Sequence, residues 1–218
     1  MGKTQEPAAA TGKRATLARI LAAAKEEFSA NGLAGARVDT IALAAGVTKQ
    51  LVYHYYEGKE KLFEAVLADV SAAVMAELVA LDVAHLPPPA AMRALLGHMF
   101  NQYEADPALR SLSQEGARYN ESHDLPGNKF VAMAPALVTL LGDILARGVA
   151  SGEFRPGVDA RALTAMAALV TTGGFTNRFM LSVLAGFDTT SSDGMAAWRR
   201  HSADFVLAAI SVQGSATK

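Results

Sequence analysis

Within residues 48–59 the chain groups Thr48, Lys49, Gln50, Tyr53, His54, Tyr55 and Lys59. Thr and Tyr hydroxyls and Lys ammonium groups donate to phosphate oxygens, and Lys49 and Gln50 are long enough to reach the edges of nucleic-acid bases. Other chemistries find less support. No nucleophile–base pair or carboxylate pair stands out at a catalytic spacing, so no catalytic residue is assigned and no enzyme is expected. Zero cysteines exclude disulfides, thiolate zinc sites, iron–sulfur clusters and cysteine catalysis. Among His85, His98, His123 and His201 only the loose pair His123-Asp124 hints at metal, so neither a metal nor a cofactor is expected. Gly173-Gly174 lacks the strand that precedes a phosphate loop; it permits close helix approach or leaves room for a ligand.

Donors of this kind work only when a rigid element projects them. The 218 residues are 51% hydrophobic but only 7% aromatic, and alternating Val/Ile/Thr runs are missing, so the fold class is all-α. Leu17, Ile20, Leu21, Ala24 and Phe28 share one face of a first helix over about 12–30, which Asn31-Gly32 ends. Short helices follow at about 38–45 and 49–55, separated by Gly46 and with Thr48 as N-cap of the second. Glu57-Gly58 breaks the chain before a helix that starts near Lys59 and carries Leu62, Phe63, Val66, Leu67 and Val70 inward. Pro87-Pro88-Pro89 and Asp106-Pro107 delimit helices from about 90–105 and from 107. Three more are expected near 129–150, 160–185 and 193–212, about nine in all, with Pro135 kinking the seventh or marking its start. The uncharged stretch 162–177 is shorter than the roughly 20 apolar residues a spanning helix needs, so no membrane segment is expected. Residues 1–11 lack a signal-peptide core and read as a frayed arm, and 214–218 as a tail.

Two short helices joined by a Gly-containing turn, at about 37–56, make a helix-turn-helix, in which the second helix projects far enough to enter a major groove. The net charge of −1 hides a division: residues 1–62 carry nine Lys/Arg against six acids, while the remainder is acidic. The run Ile41–Phe63, IALAAGVTKQLVYHYYEGKEKLF, resembles the signature of the TetR family of transcriptional repressors, and Ile20–Ala24 with Phe28-x-x-x-Gly32 resembles its first helix. The resemblance is specific over about 14–74. It implies that Thr48, Lys49, Gln50, Tyr53, His54 and Tyr55 face DNA, with Tyr56 in the core, Lys59 on a phosphate and Lys61 on the plain surface. Leu51 stands where the family often has Thr, and Arg37-Val38 where a Thr-Thr pair usually caps the preceding helix. Arg37 is therefore expected to substitute a charge contact for the missing cap.

For the remainder the resemblance implies a helical effector-binding and dimerisation domain over 75–213, following a DNA-binding domain over 12–74. The expected partners are a double-stranded palindromic operator, a second copy docked through predicted helices eight and nine, and a small-molecule effector that releases the DNA through the fourth helix. Pocket candidates are Phe100, Tyr103, Tyr119, Met133, Leu137, Phe175, Asn177 and Phe179, chosen as bulky apolar or amide groups, with Arg178 a partner for an anion. Their character suggests an apolar or aromatic effector. Such a regulator works in the cytoplasm. The competing reading is an all-α dimeric protein or enzyme that keeps the helix-turn-helix only as a packing unit.

Overall fold

A computed structural model of the chain describes residues 8–123, 129–186 and 188–212, with side chains from residue 12 onward. The described residues form α1 (Ala8–Gly35), α2 (Val38–Ala45), α3 (Lys49–Tyr56), α4 (Lys59–Val79), α5 (Pro88–Ala105), α6 (Pro107–Ser122), α7 (Lys129–Ala150), α8 (Ala160–Thr176), α9 (Arg178–Ala185) and α10 (Ser192–Ile210). The chain is all-α; its extended backbone pairing among these residues is limited to one bridge, Phe154 with Ser211. It divides into two compact units, Met1–Val70 with Pro107–Pro126, and Ser71–Asp106 with Gly127–Lys218. The loop expected around 123–127 and the tail at 214–218 lie outside the described residues, apart from His123.

The first unit is built on one stripe of α1, where Ile20, Ala24 and Phe28 recur at helical spacing and are fully buried. Val38, Ile41, Ala42 and Ala45 of α2, Val52 of α3, and Leu62, Phe63, Val66 and Leu67 of α4 close over that stripe. Leu112 and Tyr119 of α6 join the same core, so the unit extends beyond the boundary expected at residue 74. Phe63 sits between Phe28, with centroids 5.0 Å apart, and Tyr119, 5.3 Å away, both edge-on. Gly116 lets α6 approach this closely, because a Cβ there would stand 2.9 Å from Leu67 Cδ2.

Helix ends depart from expectation in instructive ways. α1 starts at Ala8, within the segment expected to be frayed, and passes Asn31-Gly32 to end at Gly35. Gly32 still breaks the regular helix, with φ +64° and ψ 175°, and the next N–H, from Leu33, donates to Glu115 Oε1 at 2.6 Å. Gly46 turns the chain between α2 and α3 with φ +65°, while its N–H and that of Val47 donate to Leu43 O and Ala42 O. Arg19 Nε adds a third bond to this end of α2, donating to Ala45 O at 3.0 Å.

In the second unit, Met75 and Leu78 of α4, Met92, Leu95 and Leu96 of α5, Leu137, Leu141 and Ile144 of α7, Leu163 of α8 and Val206, Leu207 and Ile210 of α10 share one core. α5 begins at Pro88, two residues early, since Pro at the first helical positions forgoes only an N–H that has no partner there. α7 continues through Pro135. By length and composition α7 is apolar enough to cross a bilayer, with mean hydropathy 1.7. Its apolar stripe is instead a core face, and its Arg147 donates to Val83, Ala84 and Leu86 carbonyls at 2.8–3.0 Å. The helix expected over 160–185 is two, because Asn177, at φ −126° and ψ 36°, leaves the helical region between α8 and α9. One further helix than expected results.

Two glycines should respond oppositely to alanine. Gly46→Ala forces a Cβ into left-handed backbone and should lower the unfolding free energy by about 1–2 kcal/mol. Gly12→Ala, in a helix with nothing near its Cβ position, should raise it by up to about 1 kcal/mol. Urea unfolding monitored by circular dichroism checks both.

Candidate nucleic-acid interface

α3 has eight residues, of which Val52 is buried in the core of the first unit. Leu51, Tyr55 and Tyr56 are half-buried, and Tyr56 packs against that core as expected, its burial pushing the phenol pKa up. Lys49, Gln50, Tyr53 and His54 are exposed, which gives the helix a polar outer face of donors. Thr48 caps α3: its Oγ1 accepts from Leu51 N at 3.2 Å. A hydroxyl that accepts in this way keeps its own O–H to donate outward.

Two lysines around this face bond to neighbours. Lys49 Nζ donates to Asp39 Oδ2 of α2 at 2.9 Å and stands 6.0 Å from the Tyr53 ring centroid. The bond holds the Asp39 carboxyl below its ordinary pKa and the Lys49 ammonium above its own, so both stay charged near neutrality. The Lys59 ammonium donates to Ala34 O and Ala36 O, both at 3.2 Å, where α1 ends and the chain turns into α2. Lys59 thus satisfies helix-terminal carbonyls, which the sequence reading did not anticipate because those acceptors lie 23 and 25 residues away. Arg37 precedes α2 without capping it; its backbone N–H donates to Glu27 Oε1 at 2.9 Å and its side chain is exposed. Lys13 of α1 was missed as well. Its Nζ lies 5.7 Å from the Tyr55 ring centroid, which brings a further cation to the edge of α3.

The expected pocket residues do not converge as a set. Phe100 and Phe175 have centroids 4.9 Å apart, and Tyr103 lies 5.9 Å from Phe175; Met195 and Trp198 complete this cluster in the second unit. Met133 and Leu137 pack with the larger core of that unit. Asn177, Arg178 and Phe179 are exposed, Phe179 by 83%. Tyr119 belongs to the other unit, where its hydroxyl donates to Glu64 Oε1 at 3.0 Å and its ring stacks on His123. Size and apolarity placed these residues on one list, whereas helix facing separates them. Gly173-Gly174 serves close approach: a Cβ on Gly174 would lie 2.5 Å from Trp198 Cδ1, and the Trp198 Nε1–H donates to Val170 O at 3.1 Å. Among the described residues no group of three or more His, Cys, Asp or Glu could hold a metal ion.

Residues 20–66 match the family described as bacterial regulatory proteins, tetR family, and residues 88–206, more than half of the chain, match the tetracyclin repressor-like C-terminal domain. The chain belongs to the TetR family. It is a DNA-binding transcriptional repressor of this ligand-responsive family. It is 26% identical to the transcriptional repressor NicS of Pseudomonas putida, over 86% of this chain and 89% of that one. A second relative, the repressor SCO4008 of Streptomyces coelicolor, is 39% identical over 54% of this chain and 58% of its own. Among solved structures, a transcriptional regulator SCO4942 of Streptomyces coelicolor superposes with a TM-score of 0.63 at 27% identity, covering 89% of this chain and 98% of that one. A TetR regulator from Haloarcula marismortui gives a TM-score of 0.69 at 20% identity, covering 90% and 98%, which speaks for the fold alone.

Lys59→Met should therefore act mainly on the fold. With two charge-assisted bonds to partly solvated carbonyls lost, unfolding free energy should fall by about 1 kcal/mol. The slope of log affinity for DNA against log salt, measured on folded protein, should change by much less than the roughly 0.9 that one lost phosphate contact produces.

Proposed function

We infer that the chain represses transcription as a homodimer whose two α3 helices enter successive major grooves of a palindromic operator. The observation that carries this is the arrangement of α3: one buried anchor, Val52, and an outer face of Lys49, Gln50, Tyr53 and His54. A helix kept only for packing would bury more of itself, which weighs against the competing reading. Thr48, Tyr53, His54 and Tyr55 supply contacts to phosphate, with Arg37 and Lys13 adding charge at the flanks. Lys49 and Gln50, at the start of the helix, read base edges. Lys59 adds charge at long range and fixes the turn into α2. Acting on DNA, the protein works in the cytoplasm and as a regulator rather than an enzyme.

The dimer is assigned to α8 and α10. Met166 and Leu169 on α8 and Phe205 on α10 are 62%, 73% and 65% exposed, a cost in solvated apolar area that a partner's matching face removes. Leu169→Glu should convert the dimer into monomers in sedimentation velocity and weaken operator binding by at least about tenfold, since two heads then no longer bind as one.

The effector is assigned to the second unit, at the cluster of Phe100, Tyr103, Phe175, Met195 and Trp198. An apolar or aromatic molecule suits those rings. A polar determinant lies one turn before Phe175 on α8: Thr171, 1% exposed, has a hydroxyl with no partner, although Thr164, Thr172 and Thr176 of the same helix donate to the carbonyl four residues back. Burying a hydroxyl unpaired is unfavourable, and a ligand acceptor would relieve it. Trp198 is the single tryptophan of the chain, so its emission reports on this site. Titration with aromatic ketones should shift that emission and raise the melting temperature, with Thr171→Val losing the response; stabilisation by small polar metabolites alone would reject the assignment.

Fluorescence anisotropy on the promoter region beside the protein's own gene tests the function itself. Binding should be sequence-preferring and fall steeply with salt. Tyr53→Phe should weaken binding to all sequences about equally, whereas Gln50→Ala should relax preference at particular base pairs by about 1–3 kcal/mol. The absence of salt-sensitive, sequence-preferring binding would overturn the reading.

A further inference from the structure

The Lys49–Asp39 bond joins the start of α3 to an exposed carboxylate of α2. Lys49 opens α3 and Asp39 is the second residue of α2, and their side chains are 47% and 60% exposed. An ion pair so exposed contributes little to stability. Its position matters more than its strength. Arg37 acts electrostatically on both partners and the Tyr53 ring lies beside the ammonium, so the Asp39 carboxylate is a negative charge set among the groups that meet the nucleic acid.

This location has two effects on any duplex that approaches. One of the three Lys49 N–H groups is taken by Asp39, so a phosphate that accepts from the other two comes up beside a carboxylate that cancels the ammonium charge and repels the backbone. Generic binding rests on the number of phosphates neutralised, so a carboxylate that cancels one lysine subtracts from it on every sequence. At an operator the balance differs, because a lysine released from Asp39 can donate to the O6 and N7 of a guanine in the major groove. The exchange is then repaid by a contact that other sequences do not offer.

We propose that Asp39 is a specificity-determining residue of the DNA-binding head, holding Lys49 back from generic phosphates and releasing it to a base edge in the operator. The mechanism is discrimination by a repulsive element in addition to an attractive one. It rests on the reading that α3 faces DNA.

The test uses the full chain, a duplex enriched by the wild-type protein from a random-sequence library, and a scrambled duplex of the same composition. Asp39→Asn keeps the side-chain size and removes the charge. It should tighten binding to the scrambled duplex by about three- to tenfold at 100 mM salt and steepen the salt slope by about 0.9, the value for one additional phosphate contact. The ratio of operator to scrambled affinity should fall at least threefold. In a Lys49→Met background the same substitution should have less than half of that effect, because no lysine remains to be released. If Asp39→Asn weakens both duplexes equally, its role is support of α2 and the proposal fails; melting temperature, read alongside, identifies that case. If it weakens only the operator, Asp39 reads a base itself and the proposal again fails. Should the wild-type chain enrich no sequence, or Lys49→Met leave both affinities unchanged, the underlying reading of α3 falls instead.

Discussion

Eight residues cannot hold a helix in water, where isolated helices shorter than about 12–15 residues are marginal even in favourable sequences. α3 has eight residues and buries only Val52 fully, so its order has to be imposed from outside. Val52 anchors it from beneath. Thr48 closes its first turn, and Gly46 on one side and Glu57, at φ +58°, on the other bend the chain sharply into and out of it. A non-glycine residue in left-handed backbone is strained. Its presence at the end of α3 shows how tightly the length of this helix is set by the start of α4, where Leu62 and Phe63 are locked into the core and Lys59 into the carbonyls of the α1–α2 turn.

The same constraint explains the build of the first unit. Supporting a helix that fully buries one side chain requires a rigid floor, and the floor is the edge-on ring cluster of Phe28, Phe63 and Tyr119 contributed by α1, α4 and α6. Because α6 supplies both Tyr119 and the Glu115 carboxylate that takes the Leu33 N–H at the Gly32 break, it holds α1 through packing and through a charge-assisted hydrogen bond. The floor and the bend of α1 are thus fixed by one element that lies some fifty residues downstream of the helix-turn-helix.

That distance marks the limit of what was legible in the sequence. The all-α class, the short helix pair, the Gly46 turn, the Thr48 cap and the inward stripe of α4 all follow from local spacing, and each is present. The attachment of α6 does not follow. Its Leu109, Leu112 and Tyr119 announce an apolar face, but periodicity names a face without naming its partner. The partners of Lys59 were illegible for the same reason, since the carbonyls of Ala34 and Ala36 reach it only through the fold. At Asn177 the signal was present but weak: Asn favours non-helical backbone, yet the flanking run of Thr, Gly and Phe reads as continuous apolar helix. Pocket residues were the least legible, because shape is set by which helix faces meet, and Phe100, Tyr103 and Phe175 found one another while Phe179 turned to solvent.

Formal charge overstates what the basic side chains of the first unit can donate to DNA. Residues 1–62 contain nine Lys/Arg, but Arg19 bonds Ala45 O, Lys49 bonds Asp39, Lys59 bonds two carbonyls and Lys61 bonds Glu64. A cation donating to a neutral carbonyl keeps its charge and goes on attracting DNA over a Debye length, about 10 Å at 0.1 M salt. It has nonetheless committed hydrogen atoms that a phosphate would otherwise receive. Attraction at long range and donation at short range are consequently divided between different residues. On the proposed reading of α3, Arg19 and Lys59 contribute field while stabilising the helix ends, and the hydroxyls of Thr48 and Tyr53, which are neutral, supply close contacts. Neutral donors do not strengthen binding to every polyanion as cations do. On the proposed reading of α3, such an interface would bind weakly to arbitrary DNA and depend on geometry for its affinity.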